Sequence, residues 1–231
     1  MRTNGLANQI HGHMTTPTAH RWAFALLVVL HAVGAIGTIL GWGEQLLPLS
    51  GLNLLIAGLI VITLNRVHWH LWWVVAPIAG FLSEVIGVQT GWLFGSYSYG
   101  QGLGPEVAGV PLLLGLLWLM MLWGSWSLIA WLQLPAKWMR VVLAATAMTA
   151  LDGLIEPVAI RAGWWSWNTT GGDVPWSNYL SWWAVAALLL AFAPTPKKES
   201  ESQRQGTSLA ARLLLIFTVF FILLNLFPWT P

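Results

Sequence analysis

Three carboxylates lie where the chain is otherwise apolar: Glu84 in "GFLSEVIGV", and Asp152 and Glu156 in "LDGLIEPVAI". The other acids, Glu44, Glu106, Asp173, Glu199 and Glu201, fall in loops. A charged side chain at the centre of a membrane helix costs about 2.5–3.5 kcal/mol on insertion scales, so acids retained there point to function. Asp152 and Glu156 are four residues apart and share one face of a helix. Low dielectric and mutual repulsion oppose ionising both, so at least one is expected to hold its proton at neutral pH. Pro157 follows directly and is expected to end or kink the helix at Glu156, leaving both acids in a final turn where the helix dipole also disfavours negative charge. A neutral carboxylic acid in a dry setting is a proton donor.

The surroundings suit what such a donor would create. The chain holds 18 Trp. Trp164, Trp165 and Trp167 follow the acid pair directly, Trp182 lies in "GDVPWSNYLSWW", and Trp118 closes "GVPLLLGLLW". Most of the 18 are expected in the interfacial belt or the core. An indole face stabilises a desolvated cation by about 2 kcal/mol or more, so acid and rings together suit alkene protonation and shelter of the carbocation. Tyr97, Tyr99 and Asn178 are candidates to hold a water, and Arg161 to set which acid keeps its proton. Two other readings stay open. The acids are structural, satisfied by Arg161, Asn178, indoles or backbone, or they form a proton relay in a lipid-binding transporter.

The elements that must position these residues are membrane helices. The chain is 57% hydrophobic and 8% charged, against about 25% charged in ordinary soluble domains. Runs near the roughly 20 residues a crossing takes fall at 22–40, 50–65, 71–91, 110–132, 138–157, 179–193 and 209–227. The expected fold is therefore all-α, a polytopic bundle of about seven spans. At about 1.5 Å per residue, Glu84 lies about 21 Å beyond His70, and Asp152 and Glu156 about 18 and 24 Å beyond Arg140. All three share one level in the outer half, which predicts one cavity. With a cytoplasmic N-terminus, Arg2, Arg21, Arg66, Lys137, Arg140, Lys197, Lys198, Arg204 and Arg212 all fall inside and only Arg161 outside. That bias predicts an inner-membrane, multi-pass protein with its C-terminus outside. Residues 1–20 read as a flexible cytoplasmic tail, 21–231 as one transmembrane domain, and 194–208 as a cytoplasmic linker.

Several function classes are excluded. With no Cys, there are no disulfides and no cysteine-ligated metal. His11, His13 and His20 lack a second ligand cluster, so no metal site is expected. A retinal pump needs a lysine within a span, and Lys137, Lys197 and Lys198 all lie in loops. A haem protein needs paired axial histidines in spans, but His31 stands alone and His68 and His70 are interfacial. A prenyltransferase needs paired Asp-rich motifs for Mg²⁺. The net charge is only +2, so the expected partners are lipid and an apolar substrate, with no nucleic acid.

The run Glu84, Gly87, Thr90, Gly91, Phe94, Gly95, Tyr97, Tyr99, then Gly109–Val110–Pro111, resembles the first signature of the membrane carotenoid biosynthesis proteins, a family that includes the bisanhydrobacterioruberin hydratases. Asp152, Glu156–Pro157, Gly163–Trp164 and Trp167 resemble a second signature. Val174–Pro175, Asn178 and Trp182 resemble a third, in which "NYLSWW" replaces the family's usual Phe-Gly-Trp after the Asn. The resemblance spans about residues 70–190 in signature order. It implies a helical bundle that adds water to the terminal C=C of an acyclic carotenoid end group without a cofactor. Other enzymes of that pathway are the implied protein partners.

Overall fold

The computed structural model describes residues 16–64, 70–194 and 208–231. Its main helices are α1 (Thr16–Gly37), α2 (Ser50–Leu64), α3 (Trp72–Thr90), α4 (Leu113–Ala130), α5 (Lys137–Arg161), α6 (Trp176–Ala191) and α7 (Ser208–Leu226). Most of the tail expected over 1–20 and of the linker over 194–208 lies outside the described residues. So do His11, His13, His68, Arg2, Arg66, Lys197, Lys198 and Arg204.

Among the described residues, five helical stretches are long and apolar enough to cross a membrane: Thr18–Leu64, Trp72–Thr90, Leu113–Ala130, Lys137–Arg161 and Leu209–Leu226. The sequence reading gave seven. The difference has two sources. The first stretch joins α1 and α2 through a break at Thr38–Trp42, where Gly41 takes φ 94°. Helix α6 has only 16 residues, fewer than the roughly 20 that a crossing takes.

Helix α4 is apolar all round, the mark of a helix enclosed by others. It is the most enclosed of the five, with 61% of its span buried against 33–44% for the rest. Outer helices turn apolar residues outward instead, among them Val29, Ile36, Ile78, Leu82 and Val219. Such surfaces are suited to lipid, where every backbone group must be satisfied within its own helix. Indole N–H groups tie the helices together at a distance in sequence: Trp72 donates to the Leu189 carbonyl at 2.8 Å and Trp126 to that of Pro194 at 3.2 Å.

Helix α5 does not stop at Glu156. It runs through Pro157 to Arg161, so both acids sit before its last turn. Pro157 removes one N–H from the helix ladder, and the rest of the ladder carries the helix past it. Termination comes at Gly163, φ 69°. Its N–H donates to the Ile160 carbonyl at 3.1 Å, and the Trp164 N–H reaches back to Ala159 at 2.9 Å. That is a Schellman closure, which requires the left-handed conformation glycine adopts freely. Helix α3 ends similarly at Gly91, φ 67°, with its N–H on the Gly87 carbonyl at 2.8 Å.

After these two stops the chain forms short strands that the all-α expectation did not contain. Strand β1 (Tyr97–Tyr99) pairs antiparallel with β4 (Trp165–Trp167), and β2 (Glu106–Val107) with β3 (Val110–Pro111). The first ladder sets Tyr97 opposite Trp167, Ser98 opposite Ser166 and Tyr99 opposite Trp165. It is extended by Gly100 N–H to Trp164 O and by Asn168 N–H to Ser96 O, both 2.8 Å.

The ladder leaves no room at Gly100, where an added Cβ would lie 2.2 Å from the Gly163 backbone oxygen. Gly100→Ala is expected to destabilise the protein by about 1–3 kcal/mol. Gly153→Ala is the control, because its Cβ would meet only Tyr179 Cε1 at 3.8 Å. Thermal melts in detergent decide: equal midpoints for Gly100→Ala and wild type would show that the strands part without cost.

Candidate active site

Glu84, Asp152 and Glu156 are all buried and line one small cavity, together with Tyr97, Tyr99, Leu114, Leu117, Ile155, Trp165, Trp167, Asn178 and Trp182. Helix α3 supplies the first acid, α5 the other two, α4 and α6 the walls, and the β1–β4 ladder the cover.

The two-residue period of a strand sends alternate side chains to one face. Tyr97, Tyr99, Trp165 and Trp167 therefore all point inward, while Ser98 and Ser166 face outward. Each strand serves the acid on the helix before it. Glu84 Oε2 accepts the Tyr97 hydroxyl at 2.6 Å and the Tyr99 hydroxyl at 2.9 Å. Its Oε1 accepts Trp118 Nε1–H at 3.0 Å. Glu156 Oε2 accepts the indole N–H groups of Trp165 and Trp167, both at 2.9 Å.

Asn178 joins the α5 pair. Its Nδ2 donates to Asp152 Oδ2 at 3.1 Å and to Glu156 Oε1 at 3.0 Å. Glu84 and Glu156 thus each accept three hydrogen bonds and Asp152 one, and every donor is neutral. Trp182 stacks on Trp118 with centroids 4.4 Å apart and planes 11° apart. Gly80 makes that packing possible, since a Cβ there would come within 2.5 Å of the Trp118 ring.

Two sequence candidates stand elsewhere. Arg161 does not sit with the acids. Its guanidinium lies 4.9 Å from the Trp229 ring centroid and donates to the Leu224 carbonyl at 3.5 Å. Trp164, expected beside the acid pair, packs edge-on against Phe221 of α7 and is not part of the cavity wall. The Schellman turn explains both, because it points Arg161 and Trp164 toward α7 before the strand turns Trp165 inward. Tyr97 and Tyr99, proposed as water holders, are committed to Glu84 instead. The apolar wall residues Leu114, Leu117 and Ile155 were not anticipated. The first two share the α4 stripe of Trp118 at helical spacing, and that stripe was the available signal. Among the described residues no group of three or more His, Cys, Asp or Glu is placed to hold a metal ion.

A family model described as "Carotenoid biosynthesis protein" matches residues 44–231. The chain belongs to this family. It is 29% identical over 191 residues to a protein named bisanhydrobacterioruberin hydratase from Haloarcula japonica, a match covering 73% of this chain and 64% of that relative. The chain therefore spans less than two thirds of the length of the curated relative it matches. No solved structure matches it. Family and composition together make it a membrane protein of carotenoid biosynthesis.

The tyrosine pair gives a pH test. Burial first, and then the neighbouring Glu84 charge, push both phenols well above the usual tyrosine range. Unfolded tyrosines titrate near pH 10. Above that pH the unfolded chain loses protons that the folded protein keeps, so stability falls as pH rises. This contribution is flat below about pH 10 and declines beyond it. The double variant Tyr97→Phe/Tyr99→Phe should show a shallower alkaline decline in thermal midpoint than wild type, and an identical decline would remove the tyrosines from the account.

Proposed function

We propose that the protein hydrates the terminal C=C of an acyclic carotenoid end group without a cofactor. The observation that carries this reading is the convergence of three buried acids on one cavity, held by neutral donors and walled by indoles. Membership of a carotenoid biosynthesis family supports the substrate class, and the name of the relative supports the reaction type.

The hydrogen-bond sets distribute the roles. A carboxylate is an acceptor only, whereas a carboxylic acid also donates. Glu84 and Glu156, each accepting three bonds, have the surroundings of carboxylates, while Asp152 accepts one and has an oxygen to spare. Asp152 is the donor in this mechanism. Its proton goes to the less substituted carbon of the terminal double bond, whose π electrons form the new C–H bond. The tertiary cation left behind is stabilised by the two carboxylates and by ring faces such as Trp182. Water attacks the cation and yields its proton to Glu156. Asn178, bonded to both acids, carries the geometry between donor and base, and proton return to Asp152 closes the cycle. The net change is one water added.

The membrane arrangement belongs to the same proposal. A continuous helix over Thr18–Leu64, 47 residues, would be about 70 Å long, more than twice the roughly 30 Å hydrocarbon core. The break at Gly41 lets it cross twice. With α6 as a short crossing, this gives seven spans, a cytoplasmic N-terminus and an outer C-terminus in the inner membrane. The distribution of Lys and Arg supports that orientation.

Carotenoid profiles from a pigment-producing host test the chemistry. Asp152→Asn and Glu156→Gln should each lower hydroxylated product about 10²–10⁴-fold. Glu84→Gln should lower it less, since Glu84 acts on charge and shape rather than proton transfer. Mass spectrometry reads the gain of one water. Unchanged product in all three variants would overturn the mechanism, and proton flux without product would favour the transporter.

A further inference from the structure

The cavity between the acids is small, about 20 Å³, room for about one water. A carotenoid end group needs far more space, so most of the substrate must lie elsewhere. Directly outside, between α5 and α6, is an open groove of about 600 Å³ lined by Thr146, Thr149, Ala150, Trp176, Tyr179 and Trp183. That is within the size range of small-molecule sites, about 300–1,000 Å³.

Groove and cavity are built on the same two helices. On α5, Thr149, Gly153 and Glu156 follow at i, i+4 and i+7, a single stripe leading from the groove to an acid. On α6, Tyr179 and Trp183 of the groove each adjoin a cavity residue, Asn178 and Trp182. Tyr179 is the divider: a Cβ added at Gly153 would sit 3.8 Å from its ring. Glycine at 153 leaves the step between the two spaces low.

The lining suits an apolar chain that can lie against aromatic rings. No charged residue lines the groove, so a lipid headgroup finds no counter-ion there. Its walls are aromatic and held in place: Trp176 meets Tyr179 edge-on at 5.9 Å, and Trp183 Nε1 donates to Thr146 Oγ1 at 3.1 Å. Thr149 Oγ1 is buried with no hydrogen-bond partner among the described residues.

We infer that this groove seats the conjugated chain of an acyclic carotenoid, whose end group passes over Gly153 to reach Asp152 and Glu156. The identity of the occupant rests on the hydratase reading. The test uses the full chain in lipid nanodiscs with lycopene as probe. Lycopene is achiral, so its visible circular dichroism appears only when a chiral site holds it. Wild type and Asp152→Asn should both give the band, as should Leu188→Trp on the exposed outer side of α6. Ala150→Trp, whose ring would fill the open groove, and Gly153→Phe, which would block the step, should weaken half-saturation about tenfold or more. Ala150 is exposed, so that variant remains informative if Gly153→Phe misfolds. Should Ala150→Trp titrate and hydrate like wild type, or should wild type hydrate lycopene without the band, the groove assignment is overturned. A band lost in Ala150→Trp, with no hydrated product from wild type, would keep the groove and overturn the hydratase reading.

Discussion

Three carboxylates buried in one small cavity are the constraint around which this part of the bundle is arranged. Leaving buried acids without partners costs several kcal/mol each. Most proteins offset that with Lys or Arg. Here the partners are two phenols, three indoles and one amide. Neutral donors satisfy the lone pairs without cancelling the charge. The difference matters for the proposed chemistry, because a guanidinium beside the acids would fix them as carboxylates and repel a carbocation. Arg161, one turn beyond Glu156, turns its guanidinium onto Trp229 instead.

The same device is used twice. An acid sits near the end of a helix, a glycine in the left-handed region stops the helix, and an aromatic-Ser-aromatic strand turns back over the acid. Glu84, Gly91 and "YSY" make one copy; Glu156, Gly163 and "WSW" make the other. Pairing the strands antiparallel then locks the two donor sets to each other, with Gly100 lying against the Gly163 carbonyl. Neither acid can be held correctly unless both strands are. Trp118 adds a third anchor from the central helix, and its stacking on Trp182 carries that anchoring to α6.

Much of this was legible in the sequence, and the failures have identifiable causes. Apolar runs placed the main helices because long hydrophobic stretches have few alternatives. Helical spacing put Asp152 and Glu156 on one face, and counting rises placed Glu84 at their depth. The stop at Pro157 was misjudged: proline's steric rule is a bias, whereas the hydrogen-bonded closure at Gly163 sets the end. By length and composition only five stretches qualify as spans, because α1 and α2 join into one long stretch and α6 is short. The strands were invisible at two or three residues each, although β1 and β4 alternate aromatic and serine in the sequence. Arg161 was assigned to the acids by proximity along the chain, and a tight turn is where that kind of proximity fails.

Confinement is what would make such a site selective under the proposed reaction. A tertiary cation in bulk water is captured from any side or loses a proton to return an alkene. A cavity with room for about one water presents a single nucleophile, already placed between an acid and a base. Capture then resembles an intramolecular step, with its entropy lost before the cation exists. The rest of the substrate would lie outside that space, in a groove whose aromatic lining would keep bulk water from following it in. Smallness of the cavity and length of the substrate are therefore compatible. The acids need to meet only the last double bond, while binding is left to aromatic surfaces along the remaining chain.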